Sequence, residues 1–184
     1  MERFVAGDAR AFEELYRGLG ARLFPFCRRL AGRPDDAEEL FQETFFKLHR
    51  SRSSFAPGTN VVHWAYAIAR TVHLDRLRHR KRRVILETSE WIEAFPQTAG
   101  DFASPEASLS ASELGRVVDE ALAAMPEAQR AAFVLTKEEG LSVAETASIL
   151  GATENAVKLR VLRAREDIHA AMVKAGLARK DTRK

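Results

Sequence analysis

Near the C-terminal end of the 184-residue chain, residues 150–165 read LGATENAVKLRVLRAR. Four cations, Lys158, Arg160, Arg163 and Arg165, are threaded between aliphatic residues. At 3.6 residues per turn, Val157, Val161, Ala164, Ile168 and Met172 form one stripe. Arg160 and Arg163 fall on the opposite side, and Lys158 and Arg165 border the stripe. Cations so placed could hold the phosphates of a duplex whose major groove receives the start of the helix. A second basic run, RLRHRKRR at 76–83, has no apolar face beyond Leu77, so its end is predicted to meet water or phosphate. Enzyme chemistry finds little support. Histidines 49, 63, 73, 79 and 169 show no metal-ligand spacing, and the chain has no glycine-rich phosphate loop and no nucleophile elbow. No metal or cofactor is expected.

The elements that position these residues are all predicted to be helical. No stretch alternates at period two beside turn signals, so no strand is expected. Ser142 with Glu145 three residues on is a capping box opening a short helix that Gly151 ends. Thr153 then caps a helix reaching about Lys174. Two helices joined by so short a glycine-containing turn have the geometry of a helix-turn-helix. Upstream, Leu114–Met125 and a segment begun by Pro126 and closed by Gly140 complete a C-terminal block. In the N-terminal half, Asp8 is expected to cap a first helix with Ala11, Phe12, Leu15, Leu19, Leu23 and Phe26 on its apolar face. After the turn GRPDD (32–36), Asp35 is expected to cap a second helix to about His49. A loop, RSRSSFAPGTN (50–60), leads to a third helix from Val61 to Arg83, with Trp64, Ile68 and Val72 as its stripe. Asp75 shares that face, so a pairing with Arg78 or His79, or a link between helices, is expected.

Charge supports this division. Net charge is +3, but residues 1–90 hold 17 Lys/Arg against 12 Asp/Glu, 91–115 hold none against 4, and 116–184 hold 12 against 10. Two basic blocks flanking an acidic connector raise the expectation of a polyanionic partner. Residues 88–113, with two prolines and many small residues, read as a flexible linker, although Trp91, Ile92, Phe95 and Phe102 are apolar enough to dock on a domain. The expected architecture is all-α: a helical domain over 1–87, the linker 88–113, a helix-turn-helix domain over 114–175 and a basic tail 176–184. No apolar run suits a membrane span and no signal peptide is evident, so no membrane insertion and a cytoplasmic location are expected. Cys27, the single cysteine, reads as a small buried hydrophobe.

The chain resembles extracytoplasmic-function (ECF) sigma factors, initiation subunits of bacterial RNA polymerase. The resemblance spans roughly 5–175. It rests on GDARAFEELY (7–16), DDAEELFQETFFKLHR (35–50), AYAIAR (65–70) after Trp64, LDRLR (74–78), and MPEAQRAAFVLTKEEGLSVAETASILGATENAVKLRVLRAR (125–165). The resemblance implies partners: core RNA polymerase, through the clamp coiled coil of its largest subunit and the flap of its second-largest subunit, promoter DNA, and an anti-sigma factor. It implies that Asp36, Glu39, Gln42 and Glu43 bind the clamp. Minus-ten recognition would fall to Gly58, Thr59, Asn60, Val61, His63, Trp64, Arg70, Arg76 and Arg80. Unstacked bases favour amide donors, aromatic rings and basic backbone contacts, although Trp64 on the apolar stripe reads more as core than as a stacking platform. Thr71 stands where the family commonly has Asn. Minus-thirty-five recognition would fall to Thr153, Glu154, Asn155, Lys158 and Leu159 at the bases, with Arg130, Arg160 and Arg163 on the backbone. Ala156 replaces a usual Thr. The acidic linker would thread toward the polymerase cleft, with Glu93, Asp101 and Glu106 mimicking nucleic acid. The alternative is a stand-alone helix-turn-helix regulator, which would bind its operator as a dimer and leave the first domain without a role.

Overall fold

The computed structural model describes residues 1–87 and 109–179, and side chains over 1–82 and 113–179. The described residues form helices joined by turns and loops, with no strand among them. The chain divides into two compact units, 1–98 and 99–184. The expected linker, with Trp91, Glu93, Asp101 and Glu106, lies largely outside the described residues.

In the first unit, α1 (Glu2–Val5) leads into α2 (Ala9–Ala31), α3 (Pro34–Arg50) and α4 (Val61–Glu87). Asp8 caps α2 as expected, its carboxylate accepting from the amides of Arg10 at 2.8 Å and Ala11 at 3.3 Å. α2 continues through Pro25, which removes one backbone donor. Leu23, Phe26, Cys27 and Leu30 are all buried around it, and that burial holds the helix together across the gap. The start of α3 differs from expectation. Arg33 occupies the cap position without a side-chain bond, Pro34 begins the helix, and Asp35 and Asp36 sit in its first turn. Proline's fixed φ suits the first helical position, and the two carboxylates face the positive end of the helix dipole. Tyr66 from α4 packs edge-on to Phe26 at 4.8 Å in the centre of the unit. Cys27 is fully buried there. Burial pushes its thiol up to about 12, and a hydrogen bond with Thr44 only partly opposes this.

In the second unit, α5 runs Leu109–Ala124, so residues 109–113 belong to a helix and not to the linker expected over 88–113. α6 (Glu127–Phe133) follows Pro126, then α7 (Val143–Leu150) and α8 (Glu154–Lys174). Leu122, Met125 and Ala164 form a buried cluster joined by Val118, Phe133 and Ile168. The helix expected to reach Gly140 instead changes pitch, with one π turn over Val134–Glu138. There the Thr136 hydroxyl donates to the Ala132 carbonyl at 2.7 Å, the acceptor that a regular α-helix offers to the Thr136 amide.

Candidate nucleic-acid interface

The turn between α7 and α8 is built from local chemistry. Ser142 Oγ accepts from the Glu145 amide at 3.2 Å, and Glu145 Oε2 accepts from the Ser142 amide at 2.8 Å. The expected capping box is therefore present. Gly151 sits in the left-handed region at φ 57°, ψ 43°. The Ala152 amide donates to the Ala147 carbonyl at 3.0 Å and closes the helix end. Two residues on, Thr153 Oγ1 accepts from the Ala156 amide at 3.2 Å and opens α8.

That geometry fixes which residues α8 can offer. Val157 and Ala164 are buried, and Val161, Ile168 and Met172 are half-buried, so the predicted stripe faces the unit. Thr153, Glu154, Asn155, Lys158, Leu159 and Arg163 are exposed together, while Arg160 is half-buried. Leu162 is 52% exposed and Leu159 47%. Large aliphatics left in water on such a helix suit thymine methyls or a protein surface. Leu162 lies off the stripe of Val157, Val161 and Ala164, and that offset is the one sign of its exposure in the sequence.

Arg130, expected on the DNA backbone, is largely covered by its own unit. It is only 9% exposed and its Nε is buried without a hydrogen-bond partner. Burial lowers its pKa, partly offset by the Glu127 carboxylate. A further link not foreseen joins α6 to α8, where Gln129 Nε2 donates to Asp167 Oδ2 at 2.5 Å.

In the first unit, the loop after α3 contains a short turn of 3-10 helix over Arg52–Ser54 and then Gly58 at φ 83°. Asn60, foreseen as a base contact, uses its side-chain oxygen to start α4, accepting from the amides of Val62 at 2.9 Å and His63 at 3.4 Å. Gly58 and Thr59 are exposed; Val61, His63 and Arg70 are half-buried. Trp64 is half-buried and not in the core, its ring edge-to-face with Phe55 at 5.1 Å. Ile68 and Val72, which share its stripe, are buried. Thr71 turns its hydroxyl back onto the Ala67 carbonyl at 2.8 Å.

The largest departure lies between α3 and α4. The acidic residues foreseen for the polymerase and the arginines foreseen for phosphate meet one another. Arg76 reaches Glu39 at 2.5 Å, Glu43 at 3.2 Å and Asp36 at 3.7 Å, and Arg80 reaches Asp36 at 2.5 Å. Asp75 pairs with Arg78 at 2.7 Å, as expected, and with Lys47 of α3 at 3.4 Å. Low numbers on α3 meet high numbers on α4, so the helices run antiparallel. Burial alone would lower the Arg76 pKa, but bonds to Glu39 and the charge of Glu43 outweigh it and leave it raised. Gln42 stands apart from this network and lines a groove with Phe12, Tyr16, Phe45, Phe46 and His49. Phe46 is 63% exposed, with the Arg50 guanidinium 5.0 Å from its ring centre.

Among the described residues no group of His, Cys, Asp and Glu could hold a metal ion, and no helix is long and apolar enough to cross a membrane.

An all-helical chain carrying a helix-turn-helix and a second, mixed-charge helical unit is of the kind that serves bacterial transcription initiation, and comparison with known proteins bears on both units. The model of Sigma-70 region 2 matches residues 15–83, and that of Sigma-70 region 4 matches residues 115–168. The ECF RNA polymerase sigma factor SigF of Caulobacter vibrioides is 35% identical over 165 residues, covering 89% of this chain and 87% of the relative. SigM of Mycobacterium tuberculosis is 34% identical, covering 88% of this chain and 76% of the relative. CarQ of Myxococcus xanthus, an RNA polymerase sigma factor, is also 34% identical, covering 91% and 92%. Among solved structures, the sigma factor RpoE in complex with the anti-sigma factor NepR, from Bartonella quintana, aligns with a TM-score of 0.68. It is 28% identical, covering 88% of this chain and 95% of that one. CnrH, in complex with the cytosolic domain of CnrY, aligns with a TM-score of 0.62 at 25% identity, covering 95% and 94%. The chain belongs to the ECF family of RNA polymerase sigma factors: it directs core polymerase to specific promoters and assists initiation.

Proposed function

We propose that the two units divide this task between two promoter elements and two polymerase surfaces. In the second unit, the exposed first turns of α8 enter the major groove at the minus-thirty-five element. Asn155 suits adenine, Lys158 suits guanine, and Glu154 can accept from a cytosine amine. Thr153 and Leu159 flank them, and Arg160 and Arg163 hold backbone phosphate. This unit also meets the flap of the second-largest subunit. In the first unit, the edge of α3 carrying Asp36, Glu39, Gln42 and Glu43 docks on the clamp coiled coil of the largest subunit. The loop at Gly58, Thr59 and Asn60, with Val61, His63, Trp64 and Arg70 at the start of α4, takes unstacked bases of the minus-ten element.

The observation that carries this is the doubly capped turn at Gly151. It holds Glu154, Asn155 and Lys158 outward while Val157 and Ala164 are fully buried behind them. The domains are 1–87 and, with α5 beginning at Leu109, 109–175, working in the cytoplasm without catalysis of their own. The solved relative RpoE, held by the anti-sigma factor NepR, supports a partner of that kind here. The test is to mix the purified chain with core polymerase, follow assembly by gel filtration, and transcribe a randomised promoter library. Co-elution and selection of start sites behind two spaced elements are expected. A dimer that binds DNA tightly without polymerase, and forms no assembly with it, would instead establish a stand-alone regulator.

A further inference from the structure

We propose that Arg76 is a positioning residue for the polymerase-facing edge of α3, holding Asp36, Glu39 and Glu43 at one spacing, and not a contact to promoter phosphate. This rests on the assignment of α3 to the polymerase made above.

Positions 36, 39 and 43 share one face of α3, so three carboxylates stand within a turn or two of each other. Unsupported, they would repel, and the two glutamates would sample many rotamers. Arg76 comes from the neighbouring helix and lies beneath them. Its side chain is 17% exposed, against 65% for Glu39 and 54% for Glu43. Its Nη2 serves Glu39 and Asp36, and its Nη1 serves Glu43. A planar fork can hold carboxylates at two corners at once, which the point charge of lysine cannot do. Arg80 binds Asp36 more closely, at the same Oδ1 that Arg76 approaches.

The arrangement has two consequences. A phosphate approaching Arg76 would have to displace carboxylates at 2.5 Å and 3.2 Å and would bring its own negative charge among them. The glutamates, in contrast, keep exposed oxygens for a partner with their rotamers already restricted, which lowers the entropy lost on docking. α4 also carries Trp64 and the residues proposed to hold the minus-ten bases, so the same contacts tie the polymerase-facing helix to the DNA-reading one.

The experiment uses the full chain with core polymerase. Arg76→Gln, Arg76→Lys, the pair Glu39→Gln with Glu43→Gln, and their combination with Arg76→Gln are each titrated against core enzyme. Promoter binding is then measured at saturating core over a range of salt. Circular dichroism identifies any variant that does not fold, and Arg76→Lys, which keeps the charge, is the readable substitution should Arg76→Gln fail. We expect Arg76→Gln to weaken assembly with core polymerase on the order of tenfold, Arg76→Lys to recover part of this, and most of the loss to vanish when the glutamates are already neutral. The slope of log affinity for DNA against log salt should not change. A slope reduced by about 0.7–0.9, the share of one phosphate contact, with core affinity unaltered, would overturn the proposal. Additive losses with the glutamate substitutions would overturn it too, since Arg76 would then act through the fold alone. Failure of the unsubstituted chain to bind core polymerase is a separate result: it removes the assignment of α3, and this proposal with it.

Discussion

Replacing Gly151 by alanine isolates the backbone cost of the turn that aims α8. Gly151 has φ 57° and ψ 43°, within the left-handed region. A Cβ built there meets no atom within 4 Å, so the substitution introduces no clash and its cost is conformational alone. Placing an L-residue in that region costs about 1–2 kcal/mol. Alanine also restricts the unfolded chain, which returns about 0.4–1 kcal/mol. The net loss should be about 0.8 kcal/mol, and no more than about 1.6 kcal/mol. Asparagine, which enters this region more readily, should cost less than alanine. The assay is amide hydrogen exchange in the second unit, read at Val157 and Ala164, whose side chains are fully buried. Where exchange requires opening of the whole unit, alanine should speed it roughly fourfold, and by no more than about fifteen-fold. Exchange unchanged by alanine, or asparagine as costly as alanine, would show that the strain attributed to φ is absent. A loss above about 3 kcal/mol would mean that a steric contact had been missed.

Three further outcomes follow from the same structure. Ser142→Ala removes the acceptor for the Glu145 amide and should lower stability by about 1 kcal/mol, seen as a reduced urea midpoint for the second unit. Lys158→Ala should cost about 1–3 kcal/mol at one promoter position, measured by binding of the assembled polymerase to single-base variants; an equal loss across all variants would place Lys158 on the backbone. Cys27 should resist iodoacetamide at pH 8 until the protein unfolds. Its folded thiol, raised to about 12 by burial, stays protonated where the unfolded thiol ionises near 9.0, so its contribution to stability is complete below pH 9 and declines from there to pH 12. A urea midpoint that did not fall with pH in a Cys27-dependent way over that range would refute this.

What was legible in the sequence is what short-range chemistry decides. Asp8, Ser142 with Glu145, Gly151 and Thr153 each act within a few residues of themselves, and each does in the structure what its spacing indicates. The buried side of α8 was equally readable, because helical periodicity alone assigns Val157 and Ala164 to it. Arg33 and Pro34 at the start of α3 show how a nearby aspartate can mislead, since proline's fixed φ claimed the first helical position ahead of Asp35. Arg76 and Arg80 were not readable at all. Their carboxylates lie 33 to 44 residues away, and only the antiparallel register of α3 and α4 brings them together. In sequence, a solvated arginine and a clasped one look alike. Arg130 is a related case, since the resemblance implied a backbone contact while α6 places most of its side chain in the buried part of the unit. Base preferences of Glu154, Asn155 and Lys158 follow from donor and acceptor chemistry, and the register of the groove supplies the rest.

The contact between Trp64 and Phe55 has a practical side. The chain has two tryptophans, Trp64 and Trp91. With Trp91 replaced by phenylalanine, the remaining indole sits at the start of α4, half in solvent, beside the loop that contains Gly58 and Thr59. Its emission is then a built-in optical gauge: colour and intensity follow whatever occupies that loop, with no dye attached and no background from the second unit.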